Sequence, residues 1–439
     1  MDQKVKILVI PFVVLIVFLG SLALASKTPS LAIDPPVKAI GMSTPVKIHL
    51  TAPHGARRIV AVVDQNGAKY TVFNKQYPTK RLVFTSSEQA VIDVLFTAGK
   101  EKAQALKDGK ATLTVTAQSN DFLGRTASVS SDVEVITTPP RVSVDGFQHY
   151  VNQGGTELVT FTASGYWNEA GVRVGKYTFR SFPMPGANSE NSRFALFAYP
   201  WDLEPGIEPQ VYVRNSAGTE AHGHFYFKLF PKKFRSEDLK LSDQVMQRLV
   251  DQIEPNGSGD LLQRFLKING DMRRENNLTL ANMRMQTEQK VLWHGPFVQL
   301  GNSKVEAHFA DVRTYIYQGK KVDKQVHLGF DLAVTQHTPV HAANDGKVLL
   351  ASMLGIYGNC IVIDHGYGLQ SIYGHLADFE VKPGDMVKKG QEIGKSDSTG
   401  LALGDHLHFS MQVDGVQVNP VEWWDEHWIH DRILSKLPQ

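Results

Sequence analysis

Five side chains in the last third of this chain are of the types that hold metal ions and move protons. They fall in three short segments: His327-Leu328-Gly329-Phe330-Asp331, Ser371-Ile372-Tyr373-Gly374-His375-Leu376 and Asp405-His406-Leu407-His408-Phe409. In an extended backbone, residues two or four apart face the same way, so His327 can converge with Asp331, and His406 with His408. A helix would also align His327 with Asp331, but Gly329 and the strand-rich surroundings argue against one. Zinc accepts imidazole nitrogen and carboxylate oxygen, and a catalytic zinc site keeps three protein ligands and a fourth position for water. Four histidines and one aspartate exceed three, which leaves one or two histidines for proton transfer. The chain has 16 histidines, so one His-x-His pair carries little weight; the three segments together carry the signal.

The segments belong to a longer pattern that resembles the lysostaphin-type family of zinc metalloendopeptidases, enzymes that cut peptide bonds in bacterial peptidoglycan. The resemblance covers roughly residues 322–424. It rests on His327-x-Gly329-x-Asp331, on Thr338-Pro339-Val340-His341-Ala342 with Asp345-Gly346-Lys347-Val348, and on Gly358-Asn359-Cys360-Ile361-Val362-Ile363-Asp364-His365-Gly366. Tyr373-Gly374-His375-Leu376 and Ser398-Thr399-Gly400 ahead of His406-Leu407-His408-Phe409 complete it. The resemblance implies that His327, Asp331 and His408 are ligands of Zn2+ and that His375 and His406 are an unliganded catalytic pair. Two neutral imidazoles and one carboxylate would leave that site positive, lowering the pKa of bound water towards roughly 7 and polarising a scissile carbonyl. One of His375 and His406 would then take the water proton, and the other would steady the oxyanion or protonate the leaving amine.

Departures from the pattern are small: Cys360 stands where the family has a strand former, and His341 where a smaller or aromatic residue is usual. Cys360 lies in the aliphatic run Ile361-Val362-Ile363, so a buried, unreactive thiol is expected. His308, His337, His341 and His365 are expected to be structural, with His365 in a turn. The segment 381–390 resembles the hairpin of lipoyl and biotinyl carrier domains, read here as shared barrel-sandwich architecture.

Turn signals at Asp345-Gly346, His365-Gly366, Pro383-Gly384 and Asp414-Gly415 punctuate strands from Trp293 on, so the domain that holds the five residues is read as antiparallel β. Before it, Ser242 is a candidate N-cap for a helix carrying Val245, Leu249 and Ile253, stopped by Pro255 and Gly257, and a second helix is expected from Asp260. Residues to about 290 are read as a helical connector or plug, with a solvated linker segment as the alternative. Pro35-Pro36 and Pro139-Pro140 each precede period-two runs, which predicts two immunoglobulin-like β-sandwiches. Their strands are expected at 59–63, 90–96, 111–117, 159–163, 210–213 and 222–229. The fold class is therefore mainly β. The expected division is 1–30 anchor or signal segment, 31–138 and 139–232 sandwiches, 233–292 helical connector, 293–425 zinc peptidase and 426–439 tail.

With 439 residues, 42% hydrophobic and 21% charged, and a net charge of +2, the composition excludes disorder and a polytopic membrane protein and offers nothing for a nucleic-acid partner. Residues 7–25 carry no charge and follow Lys4 and Lys6. As a helix they would span about 27 Å, near the ~30 Å hydrocarbon core, which favours an inner-membrane anchor with the rest of the chain in the periplasm. Ala23-Leu24-Ala25 before Ser26 has the form of a signal-peptidase site and leaves export after cleavage open. The function expected is a zinc endopeptidase acting on peptidoglycan cross-links. The rival readings are a catalytically silent wall-binding protein or amidase activator, and sandwiches that do the work while the last domain holds the wall.

Overall fold

Period-two alternation dictates strands in every part of the chain after residue 30 except the connector and the C-terminal segment, and the computed structural model of the protein is mainly β. It describes residues 3–82, 85–87 and 90–438, with side chains of the first helix described from Ile10 onward. The Lys4 and Lys6 side chains lie outside the described residues. Two compact units emerge: residues 1–141 with 164–169 and 213–221, and residues 142–163, 170–212 and 222–439.

In the first unit, Gln3–Ala25 is helical. Among the described residues no helix is long and apolar enough to cross a membrane. Ile10, Phe12, Val14 and Val17 are exposed, whereas Leu22 and Ser26 are buried. Ser26 Oγ donates to the Leu22 carbonyl at 2.9 Å and accepts from Leu123 N–H at 3.1 Å, which ties the end of the helix down. A three-stranded sheet (Ser30–Ile33, Thr44–Thr51, Val91–Ala98) and a five-stranded one built on Ala56–Gln65, Gly109–Ser119 and Thr126–Val135 turn their apolar faces into one core. Ile48, Phe96, Ile59 and Val115 meet there. The expected strands at 59–63, 90–96 and 111–117 lie in this sandwich.

In the second unit, Thr156–Ser164 pairs antiparallel with Ser192–Ala198. The strand expected at 222–229 is two, Glu220–Gly223 and Phe227–Phe230, and the latter pairs in parallel with His149–Asn152. Ser236–Leu241 then joins Asp311–Tyr317 and Lys320–His327 in a three-stranded sheet. Between these strands lie the connector helices. Ser242 caps Asp243–Ile253 by accepting from Val245 N–H, and Asp260 caps Leu261–Lys267 in the same way. A π-helical turn, Ile268–Met272, leads into Arg273–Asn282. The main sheet is antiparallel, in the order Lys304–Ala307, Phe330–Ala333, His406–Val413, Leu369–Leu376, Asn359–Gly366, Gly346–Met353, Met386–Val387. Met246, Leu249, Phe265 and Leu280 from the helices share one core with Tyr357, Cys360, Val362 and Ile372 from the sheet side.

Two local expectations change. Strand Asn359–Gly366 runs through His365, and Tyr367 and Gly368, both with positive φ, make the turn. His365 is fully buried, its imidazole held by the Asp345 carbonyl at 2.7 Å and Ser371 Oγ at 2.7 Å. The segment after residue 425 is an ordered part of this unit: helix Glu426–Arg432 buries Ile429, and Lys436 Nζ pairs with Glu157 at 2.6 Å.

Candidate active site

Asp331 and His408 lie directly opposite each other on neighbouring strands, as do Ala333 and His406. Opposed residues of an antiparallel pair share a face, and residues two apart do too, so Asp331, His406 and His408 come to one side of the sheet. His327 reaches them by another route. Its strand ends in the three-stranded sheet, the chain crosses at Leu328-Gly329, and the next strand begins at Phe330 in the main sheet. Gly329 is required at that crossing, since a Cβ there would sit 2.6 Å from the His408 ring.

On the other side of His408 the opposed residue is Gly374. Regular alternation would therefore turn the next side chain, His375, away from the site. His375 instead adopts φ +61° at the end of its strand, a left-handed conformation uncommon outside glycine. Its ring then lies 4.7 Å from that of His406 and 5.9 Å from that of His408, centroid to centroid.

At the centre, His327 Nε2, His408 Nδ1 and Asp331 Oδ1 form a triangle of sides 2.9, 3.0 and 3.1 Å. All three residues are buried, and together they are a group able to hold a metal ion. A tetrahedral ion with ligands at ~2.0–2.2 Å has ligand–ligand edges of roughly 3.3–3.6 Å, so the triangle needs only a small expansion to accept one. His327 Nδ1 donates to the His308 carbonyl at 3.0 Å, which leaves the lone pair on its Nε2, the atom beside His408 Nδ1 and Asp331 Oδ1. His408 Nε2 is buried and has no hydrogen-bond partner among the described residues, so its N–H is unsatisfied when Nδ1 carries the lone pair. Arg313 donates to Asp331 Oδ2 at 2.9 Å. The two oxygens of the carboxylate are thus divided between the imidazoles and a guanidinium.

Backbone carbonyls fix the remaining pair. His375 Nδ1 donates to Thr399 O at 2.7 Å and His406 Nδ1 to Gly404 O at 2.8 Å. A carbonyl can only accept, so both rings carry their proton on Nδ1 and keep Nε2 available when neutral. Burial alone would raise the Asp331 carboxyl, but His327, with His406 and His408, holds it well below the ordinary carboxylate range. Burial, then the charges of His406 and His408, pushes His375 well below 6.5, so it is neutral. Burial also opposes charge on His406, yet the hydrogen bond and charge of Asp331 outweigh it and raise its pKa. Burial lowers His408 to about 4.

The five residues line one cleft of about 600 Å³ whose opposite wall comes from the connector, through Val245, Leu249, Phe265, Arg273 and Asn277. Tyr315 both packs in the core and lines this cleft. Trp293 is buried against Phe297 and Trp423. His337, expected to be structural, joins Asp397 and Asp405 in a second group whose potential ligand atoms lie within 4.8 Å of one another. Arg313 and the carbonyls of Thr399, Gly404 and His308 were not legible as site groups. A carbonyl leaves no trace in side-chain identity, and Arg313 reads as one polar residue of an alternating strand.

This geometry brings a possible metal-binding group and two further imidazoles together, and residues 325–420 match the profile of Peptidase family M23. The C-terminal part of the chain is a domain of that family. Over 97 residues it is 40% identical to the DD-carboxypeptidase/endopeptidase Mpg of Neisseria gonorrhoeae, covering 22% of each chain. It is also 40% identical over 96 residues to the peptidoglycan DD-endopeptidase ShyA of Vibrio cholerae, again 22% of each. The chain thus spans about a fifth of the length of these curated relatives. The solved catalytic domain of lysostaphin from Staphylococcus simulans is 29% identical, covering 32% of this chain and 94% of that one, with a TM-score of 0.21.

Proposed function

We propose that the protein is a zinc-dependent endopeptidase that cleaves peptide cross-links of bacterial peptidoglycan, with His327, Asp331 and His408 as ligands and His375 and His406 as proton-transfer groups. The observation that carries this reading is the triangle of donor atoms with two further imidazoles whose Nδ1 atoms are tied to backbone carbonyls. When bound, zinc supplies a Lewis acid for the scissile carbonyl and lowers the pKa of water towards roughly 7. His375, neutral and with Nε2 free, accepts the proton of the attacking water. His406, whose pKa is raised by Asp331, carries a proton for the leaving amine. Arg313 holds the Asp331 carboxylate in place. The names of the relatives favour D,D cross-links over glycine bridges as the bond cut.

The same reading keeps the expected organisation of two sandwiches, a helical connector and a peptidase domain, with the chain held in the cell envelope by residues 7–25. The buried Ser26, bonded across to Leu123, supports an uncleaved junction. Membrane fractionation with N-terminal sequencing tests this, and a soluble product that begins at Ser26 would overturn it.

The rival, a silent wall-binding protein or amidase activator, has no use for a complete ligand set. Digestion of purified peptidoglycan from several wall chemotypes by the full-length protein, with mass spectrometry of the fragments, separates the two. New amino and carboxyl ends at a cross-link are expected. Wall binding without new ends, in the presence of zinc, would establish the rival.

A further inference from the structure

The cleft that holds the histidines also contains a cation without a counterion among the described residues. Arg273 follows the π-helical turn Ile268–Met272, a distortion that recurs at functional sites. Its Nε donates to the Asn269 carbonyl at 3.0 Å and its Nη2 to Asn269 Oδ1 at 2.7 Å. Asn269 is fully buried and donates in turn to Asp323 Oδ2 at 2.7 Å, so the guanidinium is held on a rigid support. Among the described residues no carboxylate pairs with Arg273. The two neighbouring arginines differ: Arg313 is engaged by Asp331, and Arg235 by Glu237 and Asp311, while Lys240, which also lines the cleft, is exposed.

One helical turn on, Asn277 Oδ1 accepts from Tyr357 O–H at 2.8 Å. Its side-chain oxygen is thereby engaged, and among the described residues its amide N–H groups have no hydrogen-bond partner. Arg273 likewise keeps the Nη1 donors and one on Nη2. Both residues line the same cleft as His327, His375 and His408. Together Arg273 and Asn277 offer donors and positive charge, the complement of a group with two acceptor oxygens and a negative charge.

We infer that Arg273 and Asn277 form a carboxylate-binding subsite, which selects peptides bearing a free carboxylate near the bond to be cut. The assignment of that carboxylate to the substrate rests on the peptidase reading; the subsite itself does not.

The test uses full-length protein and two cross-linked peptides that differ only in whether the carboxylates flanking the scissile bond are free or carboxamides. The acid peptide is expected to show a kcat/KM roughly ten- to a hundredfold higher, the range for a charged hydrogen-bonded contact. Arg273→Gln should remove most of that preference, Arg273→Lys should keep part of it, and Asn277→Asp should weaken the acid peptide selectively. Equal cleavage of both peptides by the unsubstituted protein, or full preference retained in Arg273→Gln, would overturn the subsite. Calorimetric binding of the same peptides to the His375→Ala protein reads the subsite without turnover. Acid-selective binding with neither peptide cleaved by the unsubstituted protein would support the subsite and sink the peptidase reading, whereas cleavage of both alike does the reverse.

Discussion

His406 and His408 stand two residues apart on one face of one strand, yet the structure treats them differently. His408 presents Nδ1 to Asp331 Oδ1 at 3.1 Å within the triangle, while His406 Nε2 stands off at 3.5 Å. Asp331→Ala or His408→Ala should therefore lose zinc and activity together, because each removes part of the metal's binding energy. His375→Ala and His406→Ala should keep zinc and lose ~10²–10⁴-fold in activity, the usual contribution of a general acid or base. Metal content of purified, folded variants decides it, and zinc loss in His406→Ala as complete as in His408→Ala would refute the division. Arg313→Gln should fall between the two classes, weakening zinc by ~10–100-fold, as loss of an outer-shell partner does.

At the scale of elements, the connector helices both wall the cleft and complete the core beneath it. Leu249 and Phe265 are buried against Tyr315, Ile356 and Tyr357, so a chain starting at residue 290 would bare apolar surface. It is expected to fold poorly, and its activity cannot report on restraint of the cleft. Leu249→Ala should cost ~2–5 kcal/mol in urea unfolding, the range for a buried leucine. Restraint is better tested at the rim, where Arg248 donates to the Leu403 carbonyl and Gln252 to the Ser398 carbonyl, at 3.2 Å for the latter. Both bonds hold the loop ahead of His406 against the helix Asp243–Ile253. If the connector limits access, Arg248→Ala with Gln252→Ala should raise specific activity on isolated wall at unchanged thermal stability. Equal activity would make the helices a structural wall only.

At the scale of the whole second unit, buried polar ties join the sandwich strands to the C-terminal segments. Arg180 holds Asp414 through Nε at 2.7 Å, and Glu422 accepts from Asn152 Nδ2 at 2.9 Å and from Thr156 N–H at 2.7 Å. Burial, despite those two hydrogen bonds and with the nearby Glu157 adding to it, raises the Glu422 carboxyl from 4.5 to about 7. The folded state therefore binds this proton more tightly than the unfolded state does. Its favourable contribution is complete below pH 4.5 and is lost as pH rises through about 7. The loss amounts to roughly 3 kcal/mol at ~1.4 kcal/mol per unit. Glu422→Gln keeps an acceptor and removes the titration, so it should flatten the pH dependence and raise the unfolding midpoint at pH 8. Thermal unfolding of both proteins at pH 5 and pH 8 checks this, and parallel pH dependence in the two would rule Glu422 out as the titrating group.

The sequence alone determined the residue types and the kind of most elements. Period-two runs yielded strands, Ser242 and Asp260 capped helices where their side chains can accept from the first turn, and His327, Asp331 and His408 were legible as candidate ligands because ligand chemistry restricts the residue types. These are properties of short stretches, governed by local backbone geometry. The tertiary structure alone decided how groups 81 residues apart, such as His327 and His408, meet at 3.0 Å. That required the crossing between sheets at Gly329, the strand register that sets Asp331 opposite His408, and the left-handed backbone that swings His375 into the site. It also decided that the connector belongs to the peptidase core, because a half-apolar helix face specifies that it will be buried but not against what. Arg313, Arg273 and the carbonyls that orient the two free histidines stayed hidden for the same reason: their roles come from what faces them, and that is set only when distant strands and helices pack.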